Sequence, residues 1–146
     1  GFGDGRGLAA ALALGAEAIN MGTRFMCTTE APVHDNIKQA IVNQGEHDTC
    51  LILRSLRNSS RVYKNALALS VIEMEKSGAT IAEIGPKVAG VKGRGVYEGG
   101  DVEGGIWTVG QVQGLIHDIP TCEVLVARIV QEAEHIIRER LVRLCG

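Results

Sequence analysis

A chain of 146 residues with 45% apolar and 22% charged side chains is long enough to bury a core and too apolar for a disordered tail. Its 15 basic and 17 acidic residues leave a net charge of −2, without the basic surplus that a generic nucleic-acid binder needs. The longest apolar run, Leu8 to Ala16, is broken by Gly15 and far too short to cross a bilayer, and no secretory signal is visible. Aromatic residues make up 3% while glycine supplies 19 positions, so close backbone approaches are expected to shape the packing more than stacked rings. Cys27, Cys50, Cys122 and Cys145 are scattered without a C-x-x-C pair. They read as reduced, mostly buried thiols in a cytoplasmic protein, with neither a zinc site nor a disulfide framework.

The chain opens at Gly1, without Met, inside Gly1-Phe2-Gly3-Asp4-Gly5-Arg6-Gly7. Loops of this kind normally link a strand to a helix, so the sequence is expected to be the C-terminal part of something longer. Leu8 to Leu14 is strong helix-forming sequence with Gly15 as its C-cap. Ala16 to Met21 reads as a short buried strand ending at Gly22-Thr23, as in a parallel βα unit. Pro32 opens a helix to about Asn43, with Val33, Ile37 and Ala40/Ile41 on one face. Thr49 to Leu53 is a strand or an extended buried segment. Asn58 or Ser59 then caps a helix from about Arg61 to Lys76, with Val62, Ala66, Leu69 and Ile72 at helical spacing.

Thr80 caps a shorter helix, Ile81 to Val88, in which Pro86 is a weak point. Gly90 to Gly105 carries seven glycines without apolar periodicity and is expected to be an irregular functional loop or lid. Thr108 to Ile116 reads as a short helix. Asp118-Ile119-Pro120-Thr121 starts a long terminal helix with Leu125, Ile129, Ala133, Ile136/Ile137, Leu141 and Leu144 as its apolar stripe.

Two glycine-bearing turns carry the chemical signal. Gly1 to Gly7 precedes a helix, and Met21-Gly22-Thr23 ends the strand expected after it. In an α/β barrel the loops after the last two strands lie side by side and commonly form a phosphate site. There, glycine amides approach the phosphate oxygens and a helix N-terminus adds positive charge. Thr23 can donate a hydroxyl hydrogen bond, and Arg24 either adds charge or enters a structural ion pair. No G-x-x-x-x-G-K-[ST] stretch is present, and G-x-G-x-G-x-G is not the dinucleotide spacing.

The run Gly1 to Ala16, followed by Met21-Gly22-Thr23-Arg24-Phe25, resembles the FMN-binding end of the nitronate monooxygenase (2-nitropropane dioxygenase) family. The resemblance continues in order through Glu30-Ala31-Pro32-Val33-His34, Arg54-Ser55-Leu56-Arg57-Asn58, Gly105 to Gln111 and Gly114 to Pro120. The Arg-Ser-Leu-Arg-Asn and Gly-Ile-Trp blocks look closest to the branch that includes NAD(P)H:quinone reductases. It implies an α/β fold, the C-terminal part of a TIM (β/α)8 barrel with an inserted, mainly helical domain. Residues 1–30 would be the last barrel units, 31–106 an inserted substrate-covering domain, and 107–146 helices returning to the barrel.

The implied cofactor is FMN, its phosphate held by Gly1 and by Asn20, Met21, Gly22 and Thr23. The implied catalytic histidine base lies upstream of this chain. His34, His47, His117 and His135 match no such motif and read as surface or capping residues. Trp107 and Gln111 are candidates beside the flavin, Trp107 equally a packing residue. Arg54, Arg57 and Arg61 form a basic cluster that could face an anionic substrate or nicotinamide phosphate, or simply solvent.

The leading expectation is oxidation of alkyl nitronates by O2. One alternative is transfer from NAD(P)H to a quinone on the same scaffold. Another is a non-catalytic interaction module whose unpartnered strand edges self-associate and which retains little flavin. The expected partner is a small molecule, nitronate or quinone with NAD(P)H, with no nucleic acid and no membrane; a homo-oligomer is left open.

Overall fold

The structure, a computed structural model, describes residues 1–145. Helix α1 (Gly5–Ala13) begins within the glycine-rich opening, because Asp4 adopts extended backbone and its carboxylate accepts the Gly7 amide. Gly15, at φ +92°, closes the helix in the left-handed conformation that favours glycine. Ala16 to Met21 forms no strand. Most of these residues are exposed or half-buried, and no neighbouring strand runs alongside them among the described residues. A strand needs a hydrogen-bonding neighbour about 4.8 Å away, and apolar β-prone sequence cannot supply one by itself.

After the short α2 (Thr23–Met26), α3 (Asp35–Val42) starts later than Pro32 predicts, with His34 as its cap. Its Ile37 and Ile41 are fully buried, as the spacing requires. β1 (Thr49–Ile52) then pairs antiparallel with β2 (Ser60–Tyr63), in the register Thr49 to Tyr63 and Leu51 to Arg61. Residues 61–63 thus belong to a strand and not to the predicted helix. Val62 and Tyr63 suit a pleated, half-buried surface, and β1 offers them a partner.

Helix α4 (Ala66–Lys76) starts only after the hairpin, and its buried face is Ala68 and Val71; Ala66 and Leu69 stay exposed. Its cap is Asn65 instead of Asn58 or Ser59. The buried Asn65 Oδ1 accepts the Ala68 amide at 2.8 Å, and Nδ2 donates to the carbonyls of Val102 and Gly105 at 2.9 Å each.

Thr80 opens α5 (Ile81–Val88) as expected, its amide and hydroxyl both donating to Glu83. The stretch expected to be irregular holds α6 (Gly90–Gly99). Four glycines weaken intrinsic helix propensity, and a tight contact offsets that: a Cβ on Gly93 would sit 2.6 Å from the Ile106 carbonyl oxygen. Residues 111–115 form a 3₁₀ turn within the predicted helix, and Thr121 caps α7 (Cys122–His135).

Leu125, Ile129 and Ala133 of α7 pack on α1, which approaches so closely at Gly5 that a Cβ there would meet the Ile129 carbonyl oxygen at 2.6 Å. Beyond His135 the chain widens into a π-helical turn (Ile136–Leu141) and a 3₁₀ turn (Val142–Leu144). Here the predicted stripe is only partly covered, with Ile137, Leu141 and Leu144 exposed. At 1.5 Å per residue, α1 is about 13 Å long and cannot cover the whole of the terminal helix.

One core cluster joins Cys27, Ile37, Ile41, Tyr63, Val96, Trp107, Val109, Val112 and Ile116, and so draws on all three expected segments. A second joins Ile52, Leu53 and Val62 with Ala68, Val71 and Ile84 beneath the hairpin.

Two glycines of α6 should respond oppositely to alanine. Gly93→Ala is expected to destabilise the protein by about 1–3 kcal/mol through backbone overlap. Gly95→Ala, where a Cβ meets nothing within 4 Å, is expected to stabilise it by about 0.4–1 kcal/mol. Chemical denaturation of the two variants measures both.

Candidate phosphate-binding site

The two glycine turns meet across a single segment. A Cβ on Gly1 would lie 3.4 Å from Val112 Cγ1, and one on Gly110 would lie 3.5 Å from the same atom and 3.3 Å from Thr23 Oγ1. The Gly110 amide donates to Thr23 Oγ1 at 2.9 Å. Gly1 and Thr23 therefore flank the segment 110–112. Gly1 and Gly22 are exposed, Asn20 is exposed, Met21 is half-buried and Thr23 is buried.

The N-termini of α1 and α2 differ electrostatically. At α1 the Gly5 amide donates to Glu132 Oε2 at 2.7 Å, and the Gly7 amide to Asp4 Oδ1 at 3.2 Å. Arg6 Nε in turn donates to Asp4 Oδ2 at 2.8 Å. Burial would raise the Asp4 carboxyl, but the bonds from Arg6 and Gly7 and the charge of Arg6 hold it below its ordinary value. Two carboxylates thus take amides at this end, and the expected help of α1's N-terminus to a bound anion is not available. Glu132 went unnoticed in the sequence because only its spacing along α7, within the turn that faces Gly5, marks it.

At α2 no side chain caps the helix, and the first-turn amides have no acceptor within their own helix. A Cβ on Gly22 would find nothing within 4 Å. Thr23 Oγ1 accepts from Gly110 and keeps its own hydroxyl proton to donate. Free amides, a hydroxyl donor and open space at glycine are what a phosphate oxygen requires.

Of the two roles open to Arg24, the structure selects the ion pair. Its guanidinium is 3% exposed and donates to Asp118 Oδ1 at 2.7 Å and to the Asp118 carbonyl at 3.3 Å. Arg128 donates to the other carboxylate oxygen. Burial pushes the Asp118 carboxyl up, but the hydrogen bond from Arg128, the charges of Arg24 and Arg128, and the bond from Arg24 together bring it below its ordinary value.

Trp107 is a packing residue, 2% exposed and stacked on Tyr63 at 4.4 Å, with Nε1 donating to the Val102 carbonyl. Gln111 is exposed, whereas Gln113 is fully buried and donates from Nε2 to the Gly45 carbonyl at 2.7 Å. Nothing in the sequence set Gln113 apart from Gln111, because the 3₁₀ turn decides which of them points inward. His34 is a capping residue, its Nδ1 accepting the Asn36 amide at 3.1 Å; His47, His117 and His135 are exposed. Cys27 alone among the cysteines is buried, and burial pushes its thiol up to about 11, so it stays protonated at neutral pH.

The fold class is α/β, the C-terminal portion of a (β/α)8 barrel. FabK from Thermotoga maritima superposes with a TM-score of 0.89 at 34% identity, covering 97% of this chain and 45% of that chain. The enoyl reductase domain of MlnA from the macrolactin biosynthesis cluster of Bacillus amyloliquefaciens shares the fold, with a TM-score of 0.73 at 17% identity over 99% of this chain and 48% of that chain.

The nitronate monooxygenase family model matches residues 1–132, and the chain belongs to that family. Curated relatives include a nitronate monooxygenase of Paraburkholderia phytofirmans, 30% identical over 95% of this chain and 38% of its own length. Another is a (3aS,4S,5R,7aS)-5-hydroxy-7a-methyl-1-oxo-octahydro-1H-indene-4-carboxyl-CoA dehydrogenase of Rhodococcus jostii, 30% identical over 91% of this chain and 48% of its own length. The chain spans about half, or less, of the length of these relatives.

Asp118→Asn should lower stability at neutral pH by about 1–3 kcal/mol, toward the lower end because Asp118 is 42% exposed. A carboxyl lowered on folding stabilises fully above its unfolded value, about 3.9, and loses that contribution as pH falls through its lower native value. The gap between wild type and variant should therefore be widest above about pH 4 and shrink in stronger acid, as denaturation across a pH series would record.

Proposed function

We propose that the chain is the phosphate-holding part of an FMN-dependent oxidoreductase of nitronate monooxygenase type, oxidising alkyl nitronates with O2 to a carbonyl compound and nitrite. The observation that carries this reading is the uncapped turn at Gly22 and Thr23, its Thr23 hydroxyl braced by Gly110, with Gly1 against Val112 of the same segment. The family match and the Paraburkholderia relative support it.

In this reading the Thr23 hydroxyl donates to a phosphate oxygen while the Gly110 amide engages one of its lone pairs. The amides of Gly22 and Thr23 and the backbone at Gly1 supply further donors, and Asn20 and Met21 carry the chain into the turn. FMN would supply the electron transfer and the reaction with oxygen. The part of these residues is to hold its phosphate and so fix where the ring lies. In this reading the proton-abstracting base that family resemblance implies comes from outside the four histidines, of which His34 caps α3 and the other three are exposed.

A second reading is favoured by the indene-carboxyl-CoA dehydrogenases of Rhodococcus jostii and Mycobacterium tuberculosis, 30% and 27% identical. It keeps the flavin scaffold but exchanges hydride with a carbon substrate or with NAD(P)H.

Anaerobic stopped-flow mixing of the intact flavoprotein separates these readings. Bleaching by an alkyl nitronate supports the first; rapid bleaching by NADH with none by nitronate would sink it and leave the second. Thr23→Ala should weaken FMN binding about tenfold, whereas Thr23→Ser should stay within about threefold of wild type. Fluorescence titration of the apoprotein reads both, and equal affinity of all three proteins would remove Thr23 from the site.

A further inference from the structure

A second cavity lies apart from the glycine turns, on the hairpin and α4. It has a volume of ≈ 730 Å³, and its lining includes Arg54, Arg61, Lys76 and Glu75 around Cys50 and Ile72.

Its charges are not evenly matched. Glu75, the carboxylate among them, is already engaged: Oε2 accepts the Leu53 amide at 2.7 Å, and Oε1 accepts the Ser55 amide at 3.0 Å and the Ser55 hydroxyl at 2.7 Å. Burial alone would raise the Glu75 carboxyl, but these bonds bring it below its ordinary value, so it remains an acceptor tied to the loop. Leu53, whose amide makes the first of these bonds, has φ +59°, a left-handed backbone uncommon for a residue other than glycine. Glu75 thereby ties the loop that carries Arg54 to α4.

Arg61 is half-buried and directed by one bond, Nη1 to Thr49 Oγ1 at 2.8 Å, which leaves the remaining N–H groups of its fork to donate. Lys76 is paired with Glu73 at 2.7 Å, but both are about two-thirds exposed, so that pair is weak and readily exchanged. Two guanidiniums and an ammonium therefore face a partly apolar floor of Cys50, Leu51 and Ile72.

Guanidinium forks match phosphate geometry, and an apolar floor accepts the face of a heterocyclic base. We infer that this groove binds the phosphorylated nucleotide end of a cosubstrate, with Arg54, Arg61 and Lys76 on its phosphates and Cys50, Leu51 and Ile72 beneath its base. The chemistry is shared by NADPH, which carries a 2′-phosphoadenosine diphosphate, and by coenzyme A thioesters, which carry the 3′-phosphate isomer. The choice between them rests on the oxidoreductase reading above; occupancy of the groove by a nucleotide phosphate does not.

Calorimetric titration of the intact protein with adenosine 2′,5′-bisphosphate and, separately, adenosine 3′,5′-bisphosphate tests the inference without turnover. Saturable binding of either one supports it, the preferred isomer naming the cosubstrate and equal binding assigning the site to the shared phosphates. Arg54→Gln combined with Lys76→Gln, at exposed positions, should weaken binding at least about tenfold with an unchanged melting temperature. Arg61→Lys keeps the charge but loses the fork and should weaken it less than Arg61→Gln. Absence of saturable binding, or binding that none of these variants alters, overturns the inference. A protein that binds a bisphosphate but takes up no flavin overturns the flavin assignment alone, and one that exchanges electrons with its substrate but binds neither bisphosphate overturns the groove alone.

Discussion

Residues 107–110 hold the separate parts of this chain to one another. The Trp107 ring lies on Tyr63, its indole N–H reaches the Val102 carbonyl, and its own carbonyl accepts the Tyr63 amide at 3.1 Å. Thr108 bridges to Val62 at the edge of the hairpin and exchanges hydrogen bonds with the Tyr97 hydroxyl of α6. Gly110 then reaches Thr23. A short run of backbone thus connects β2, α6 and the turn before α2, and the buried Trp107 fixes its position. Because the Gly110 amide needs an acceptor and Thr23 provides it, the position of Thr23 Oγ1 is tied to the core.

The same economy governs the helix ends. Both α1 and α2 begin after glycine-bearing turns, yet their first-turn amides meet different fates. At α1 the close approach to α7 brings Glu132 onto Gly5, and Asp4 adds a second carboxylate. At α2 the cap position is Gly22, which has no side chain to offer. Packing has satisfied one helix start internally and left the other without a side-chain cap. Arg24, one residue beyond Thr23, is withdrawn into its pair with Asp118 and adds no free charge to the turn.

Membership of the nitronate monooxygenase family and the likeness to FabK place these features on a barrel of which this chain spans less than half the FabK length. Two features depart from the sequence expectation. Ala16 to Met21 has strand-like sequence without a strand beside it, and the apolar stripe beyond His135 lies partly open. The hairpin with α4 and α5, in contrast, has a core of its own.

What the amino-acid order settled alone was local. Capping residues and apolar spacing located α1, α3, α5 and α7, because a cap and a buried face depend on residues within a few positions of each other. The glycine turns and the Met-Gly-Thr-Arg-Phe stretch pointed to the candidate site for the same reason. Only the tertiary structure decided that residues 61–63 form a strand, since that depends on a partner contributed by β1. It also decided that a glycine-rich stretch becomes helix α6, since the Ile106 carbonyl fills the space a side chain would need. That Glu132 occupies the start of α1 and that Gln113, not Gln111, is buried were equally invisible beforehand. Those outcomes turn on contacts between residues far apart in the chain, and no local pattern encodes which distant atoms will arrive.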